Sequence, residues 1–568
     1  MDIKKINKKI IIDILLIIFI TTFSLLFLFQ DKIILGDDLT FHLNRFLGIA
    51  NCFEDGQIPP RIYPYANNYY GYATPLFYCD LFLYPFGVLF HYGLSAVYCY
   101  KLCIFTYTLL GNLFVYYIFK KETDNRKILL IAVILYCFAS YHIQNVYVRA
   151  ALGEILSMTF VPLVLYAIYK VLVKNENSWI LLGISFSCMV MSHLISSFLY
   201  GMFFFVMIVV YVFINRKDLN LIKNTMITIL KGTILAVLLT SWYLFPMFEQ
   251  FLSQDFWLNA NANYNDLSDG VQSLKQAFGN VFALTNWKTF KVKKSASVGL
   301  VLSLMPFGLF FVKKNKYITA ISAYCVFCYL IILGVIPGEF LNITQFYFRL
   351  YIVIFPLLAI DVVYLLLNIN KRIIQNILIG VICIYSCLNV CFAVRETYNG
   401  KYYLNNDATF DEINYINSYL FDLDYNHDEL GGFEYAPYTE LVDYIDDGRE
   451  LKIMDEYGVY VYLTEDYKQY FSTLTFTYDL KRATKIMFPI SYYKGYSAYE
   501  LIGDEWKKIG ISYDETYKKL TIDNELGVHT YKVTYTGTPV QHITLGISGV
   551  TLVVLLIIFV KTKLWRKA

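Results

Sequence analysis

Apolar runs of roughly 20 residues recur along this chain, and they restrict it to a narrow class of structures. Such a run is long enough to cross a hydrocarbon layer as a helix. Of the 568 residues, 57% are hydrophobic and only 16% charged, a balance that would aggregate in water. The runs predict a polytopic α-helical membrane protein with spans at 10–30, 97–119, 128–141, 155–173, 178–192, 194–214, 233–249, 297–312, 317–336, 346–368, 373–394 and 543–560. The first run follows Lys4, Lys5, Lys8 and Lys9 but has no small-residue cleavage site after it, so it reads as a retained helix. The apolar stretch 76–92 carries Pro75 and Pro85 at its start and middle. Treating it as a broken, interfacial segment puts every short basic loop on the cytoplasmic side. Both termini then lie in the cytoplasm, in a cell membrane, and residues 31–96 form the first outer loop.

The largest polar piece, 396–541, holds 26 Asp plus Glu against 13 Lys plus Arg, a net charge of −13 that leaves +16 elsewhere. An acidic domain between membrane-anchored ends fits the extracytoplasmic face. It argues against nucleic acid as a partner, which needs a basic surface. Alternation predicts strands at Val459–Leu463, Lys485–Tyr493 and Thr530–Tyr535 after a helical lead-in at 407–420, giving a β-rich, sandwich-like α+β domain. The domain order expected is therefore 1–395 in the membrane, 396–541 outside, and 542–568 as a last span and tail. All 11 cysteines precede residue 396, so no disulfide framework supports the acidic domain. Cys325 and Cys328 sit within an apolar helix without a His or carboxylate nearby in sequence and read as packing residues. Walker, Rossmann and zinc-protease patterns are missing from the sequence.

Polar residues that lipid would reject gather at a few points. Asp37-Asp38-Leu39-Thr40-Phe41-His42-Leu43-Asn44-Arg45 follows the first span. Asp38, His42 and Arg45 are spaced to share a helix face, with Asp37 about 100° away. A carboxylate there can serve as general base. Alternatively, Asp37 and Asp38 can hold a divalent cation such as Mg or Mn, or cap the helix that follows. The next outer loop, Tyr141 to Glu154, carries His142, Arg149 and Glu154. Arg149 is suited either to a phosphate or to an ion pair with Glu154. His193 falls at a short turn between spans, as a catalyst or a hydrogen-bonded interface residue. Arg349 opens the tenth span, as a phosphate partner or a snorkelling side chain. Tyr72 closes a Tyr-rich loop suited either to an interfacial belt or to stacking on sugars. Asp361 lies deeper in the tenth span.

These stretches, with Gly56-Gln57-Ile58-Pro59-Pro60-Arg61, Gly71-Tyr72-Ala73-Thr74-Pro75, Arg149-Ala150-Ala151-Leu152-Gly153-Glu154, Ser192-His193-Leu194, Gln345-Phe346-Tyr347-Phe348-Arg349, and Pro489 to Tyr496, resemble YfhO-like bacterial membrane proteins. Some of those carry a 6-pyruvoyl-tetrahydropterin-synthase-related label, although nothing here suggests pterin chemistry. Phe348 and Ala73 depart from the family pattern. The resemblance implies the C-type (GT-C) glycosyltransferase fold, a polyprenyl-phosphate sugar as donor, and a cell-envelope glycan or glycopolymer as acceptor. It casts Asp37 or Asp38 as base or metal ligand and Arg149 and Arg349 as phosphate partners. His42, Arg45, Tyr72, His142, Glu154 and His193 would bind substrate. A transporter or flippase of lipid-linked saccharides, or a non-catalytic envelope scaffold, remains the alternative.

Overall fold

The computed structural model describes residues 8–67, 69–260, 271–278, 296–398, 403–409, 412–413, 436–438, 451–455, 457–462, 467–481 and 484–565. The chain forms two compact units whose segments interleave along the sequence. The first comprises Met1–His42, Ser95–Val237 and Asn265–Asn414; the second comprises Leu43–Leu94, Leu238–Tyr264 and Tyr415–Ala568.

Among the described residues, seven helices are long and apolar enough to cross a membrane. They are Ala96–Glu122, Leu152–Val173, Leu194–Ile214, Leu219–Phe251, Tyr347–Asn368, Arg372–Arg395 and Pro539–Lys561, and each coincides with a predicted span. The other predicted spans fall on shorter elements. Segment 128–141 becomes a pair, Arg126–Cys137 and Ser140–Arg149, bent by 43°. Segments 178–192, 297–312 and 317–336 become Trp179–Val190, Leu300–Phe311 and Lys316–Ile332. The first becomes Lys8–Ser24 followed by a 3-10 turn. Stretch 76–92 is broken into the short helical pieces Thr74–Phe77, Leu81–Leu83 and Tyr84–His91.

Leu152–Val173 and Tyr347–Asn368 lie at the centre of the first unit, with 78% and 83% of their apolar windows buried by protein. Helices in lipid gain little from apolar burial itself, so close approach matters. Gly111 lets Ala96–Glu122 come near: a Cβ there would stand 3.2 Å from the Thr159 backbone. Both central helices contain a proline, Pro162 and Pro356. Each proline lacks an N–H and strands the carbonyl four residues earlier. The Tyr136 hydroxyl donates to the Met158 carbonyl, and the Tyr200 hydroxyl to the Ile352 carbonyl at 3.0 Å. In both cases a buried tyrosine from a neighbouring helix restores the missing bond, as backbone away from water requires.

The second unit holds most of the strands. The strands, in chain order, are β1 Lys32–Ile34, β2 Tyr403–Asn405, β3 Lys452–Met454, β4 Tyr460–Tyr462, β5 Lys468–Tyr470, β6 Thr473–Leu480, β7 Thr484–Ser491, β8 Tyr496–Ile502, β9 Glu505–Ile509, β10 Ser512–Tyr513, β11 Lys519–Asn524 and β12 Gly527–Tyr535. β1 and β2 make a small antiparallel ladder in the first unit. The rest form two five-stranded sheets, β10-β11-β7-β3-β4 and β5-β6-β12-β8-β9. In β12 the alternating positions Tyr531, Val533 and Tyr535 turn inward. Phe476 of one sheet meets Phe488 of the other edge to face at 5.5 Å, the contact of a sandwich core. The predicted strands fall on β4, β7 and β12. Most of the predicted helix 407–420 lies outside the described residues.

Replacing Tyr200 by Phe leaves the Ile352 carbonyl buried without a donor. The expected cost is about 1–3 kcal/mol, read as a lower melting temperature in detergent. Tyr117→Phe, at an exposed ring, is expected to melt with the unaltered protein.

Candidate functional site

The loop before helix Leu39–Glu54 is stitched to the turn before Leu152. Asp38 N–H donates to the Arg149 carbonyl at 2.9 Å, and Leu152 N–H donates to His42 Nε2 at 3.2 Å. Gly36 makes the approach feasible, because a Cβ there would lie 2.6 Å from the Val148 carbonyl oxygen. Ala150 takes a left-handed conformation, φ 53°, which turns the chain sharply after the π-helical turn Asn145–Arg149. Asp38 occupies the capping position: its carbonyl accepts the His42 N–H at 3.1 Å. Asp37 stands one residue earlier and is exposed.

Glu154, at the start of the central helix and only 2% exposed, organises the polar groups around this junction. One carboxylate oxygen pairs with Arg149 Nη1 at 2.9 Å and faces Arg349 Nε at 3.3 Å. The other accepts from Tyr141 Oη at 2.6 Å and from Asn145 Nδ2 at 3.2 Å. Arg149 also donates to Asn145 Oδ1 at 2.6 Å. Arg349 donates to the Thr344 carbonyl at 2.9 Å and to the Gln345 side chain. Phe346 and Phe348 stack at 5.1 Å, each under one guanidinium: Arg349 lies over Phe346 and Arg149 over Phe348. A buried carboxylate with two charge partners is tolerable; left alone it would be costly. Two arginines sharing one such partner keep positive charge to spare.

Asp38 receives that surplus. Burial raises its carboxyl from 3.8 to about 6; Arg149 and Arg349 oppose the rise, while Asp37 and Glu154 add to it. The result is a carboxyl poised to exchange a proton near neutral pH, close to two guanidinium groups that attract anions.

Other candidate residues are placed elsewhere. His193 stays near Glu154 and is one of the groups acting on it, but its ring caps Leu194–Ile214, Nδ1 accepting from Ser196 N–H at 3.3 Å. His142 is buried with Nδ1 2.9 Å from the Cys137 carbonyl at the helix bend. Arg45 is turned to Asp80, with Nε 2.7 Å from Oδ1 and Nη2 3.0 Å from the Cys79 carbonyl, beneath the Tyr78 ring. Tyr63 donates to the other Asp80 oxygen, and Tyr72 pairs with Tyr63 through the backbone. Arg45 and Tyr72 thus belong to a buried network within the second unit. Asp80, Asn145 and Tyr141 are the participants sequence reasoning passed over; only Asn145 and Tyr141 carried a signal, through their place beside Arg149. Cys325 and Cys328 are buried, unpaired packing residues. No group of three or more His, Cys, Asp and Glu gathers at one point among the described residues.

Most of the helical bundle, with the Arg149, Glu154 and Arg349 side of the junction, falls within a recognised family. A model described as the 6-pyruvoyl-tetrahydropterin synthase related domain, a membrane protein, matches residues 88–389. The chain belongs to that membrane-protein family. The matched region contains Arg149, Glu154, His193 and Arg349 and begins after the Asp37–Asp38 loop. An uncharacterized protein of Lactococcus lactis subsp. cremoris (strain MG1363) is 25% identical over 347 residues, 59% of this chain. The aligned part spans 55% of that relative's length.

Glu154→Gln removes the charge that balances Arg149 and Arg349. Breaking a buried pair of this kind costs about 3–5 kcal/mol, measurable by denaturation in detergent. Since Glu154 holds the Asp38 carboxyl up, the variant is also expected to titrate Asp38 below about 6. The carboxyl band in infrared difference spectra, identified with Asp38→Asn, reports that shift; no movement of the band refutes the coupling.

Proposed function

We propose that this membrane protein is a glycosyltransferase that moves a sugar from a polyprenyl-phosphate donor to a cell-envelope acceptor. What supports this reading is Asp38, a carboxyl raised to about 6 on a loop hydrogen-bonded to Arg149 and under the charge of Arg349. The twelve-span topology, the GT-C fold, cytoplasmic termini and an outward-facing acidic domain belong to the same proposal. The acceptor hydroxyl oxygen forms a bond to the anomeric carbon as the carbon–oxygen bond to the lipid phosphate breaks. The bonding pair leaves with the phosphate, and the hydroxyl proton passes to Asp38. Arg149 and Arg349 stabilise the negative charge that develops on the departing phosphate. Phe346 and Phe348 hold the two guanidinium planes in place, and Glu154 sets their positions. Asp37 is the alternative base, being exposed and adjacent.

A second reading, transport of lipid-linked saccharides, is favoured by one observation. Asp361 is fully buried within a candidate span, with Ser322 Oγ 2.7 Å from one oxygen and no partner for the other among the described residues. Buried intramembrane acids often mark ion pathways.

Transfer from radiolabelled polyprenyl-phosphate sugars by purified protein in lipid tests the proposal. Asp38→Asn is expected to lower the rate by about 100-fold or more, the usual weight of a general base. A base must be ionised, so the rate of the unaltered enzyme is expected to rise as pH increases through about 6. Full activity in both Asp37→Asn and Asp38→Asn would exclude the assignment. Loss of saccharide movement in Asp361→Asn, without any transfer by the unaltered protein, would support the transport reading instead.

A further inference from the structure

Arg61 is 6% exposed and belongs to the second unit. Its Nη1 donates to the Trp242 carbonyl at 3.2 Å, and its guanidinium lies 5.6 Å from the Trp242 ring centre. That carbonyl is stranded for a known reason. Pro246, four residues on in the same helix, has no N–H to offer it. The two prolines of the first unit solve this problem with a neutral tyrosine hydroxyl. Here the donor is a guanidinium, which brings a full charge and five N–H groups.

One of those donors has an acceptor; among the described residues the others have none. Among the described residues no carboxylate stands against the charge. The titratable groups facing Arg61 are Tyr535, Tyr84 and Cys79. All three are neutral at ordinary pH: burial pushes Cys79 and Tyr535 up to about 12 and raises Tyr84 far above its usual value. A mostly buried cation with no carboxylate beside it is costly unless an anion completes it. The surroundings indicate the anion's class. Tyr535 lies just before the last span, which begins at Pro539, and the backbone N–H of Trp242 donates to Ser548 of that span at 3.2 Å. A Tyr placed just outside a span, as Tyr535 is, marks the level of lipid headgroups, where phosphate is the abundant anion, and a guanidinium fork matches phosphate oxygens.

We propose that Arg61, with Tyr84, Tyr535 and Trp242 around it, seats a phosphate-type oxyanion, carried either by a lipid headgroup or by a free phosphate. The site shares no residue with the Asp38 junction, so it stands whether or not the protein transfers sugar.

Trp242 provides a local reporter. Full-length protein in phosphatidylcholine nanodiscs is titrated with inorganic phosphate, and its emission is compared with that in discs containing phosphatidylglycerol. The Trp242 contribution is isolated by subtracting Trp242→Phe. A saturable change with inorganic phosphate identifies a free phosphate; a change confined to phosphatidylglycerol discs identifies a headgroup. Arg61→Gln keeps a donor for the Trp242 carbonyl but no charge, and is expected to abolish either response. Arg61→Lys keeps the charge without the fork and is expected to bind about tenfold more weakly. Arg216→Gln, at an exposed arginine of the first unit, is expected to respond like the unaltered protein. If neither probe changes the emission, or if the response persists in Arg61→Gln, the site does not exist. Should Arg61→Gln fail to fold, undiminished affinity in Arg61→Lys overturns the proposal equally.

Discussion

Glu154 is the charge on which the arrangement of the junction rests. It sits at the first turn of a central, almost wholly enclosed helix, where an isolated carboxylate would be intolerable. Tyr141, Asn145, Arg149 and Arg349 converge on it from the bent segment before it and from the start of another central helix. Those contacts fix both guanidinium groups within reach of the loop that carries Asp38. One acid therefore compensates two bases imperfectly, and the remainder is what a neighbouring anion or carboxyl experiences.

The same economy governs the backbone. Proline in a helix away from water leaves a carbonyl that something else must satisfy. Tyr136 and Tyr200 do so with one hydroxyl each and have little capacity left over. Arg61 does so with far more donor capacity than the carbonyl can use. The contrast between a neutral and a charged solution to one problem separates a packing device from a binding group. By the opposite logic, Arg45 is removed from consideration as a free cation, because Asp80 and the Cys79 carbonyl take up its donors.

Much of the fold could be read directly. Apolar length located all seven long helices among the described residues, and alternation located β4, β7 and β12. The bent pair after Arg126 and the shorter apolar helices could be located but not measured, because hydropathy records where a chain is apolar and not where its hydrogen-bond ladder breaks. Helical spacing placed Asp38, His42 and Arg45 on one face, yet their partners proved different: Arg149 through the backbone, Leu152, and Asp80. Spacing describes one helix; it is silent about what packs against it.

Composition and period by themselves determined that this is a polytopic helical protein with an acidic, strand-rich C-terminal part, since those properties follow from local hydropathy and charge. The residue types needed for proton exchange and anion binding were also visible in the chain. Tertiary structure decided which of them meet. Asp38 and Arg149 are over 100 residues apart, and only the close passage at Gly36, the turn at Ala150 and the buried charge of Glu154 bring them together. It likewise decided which arginines are already matched and which are not, because charge compensation depends on distance in space and not on separation along the chain.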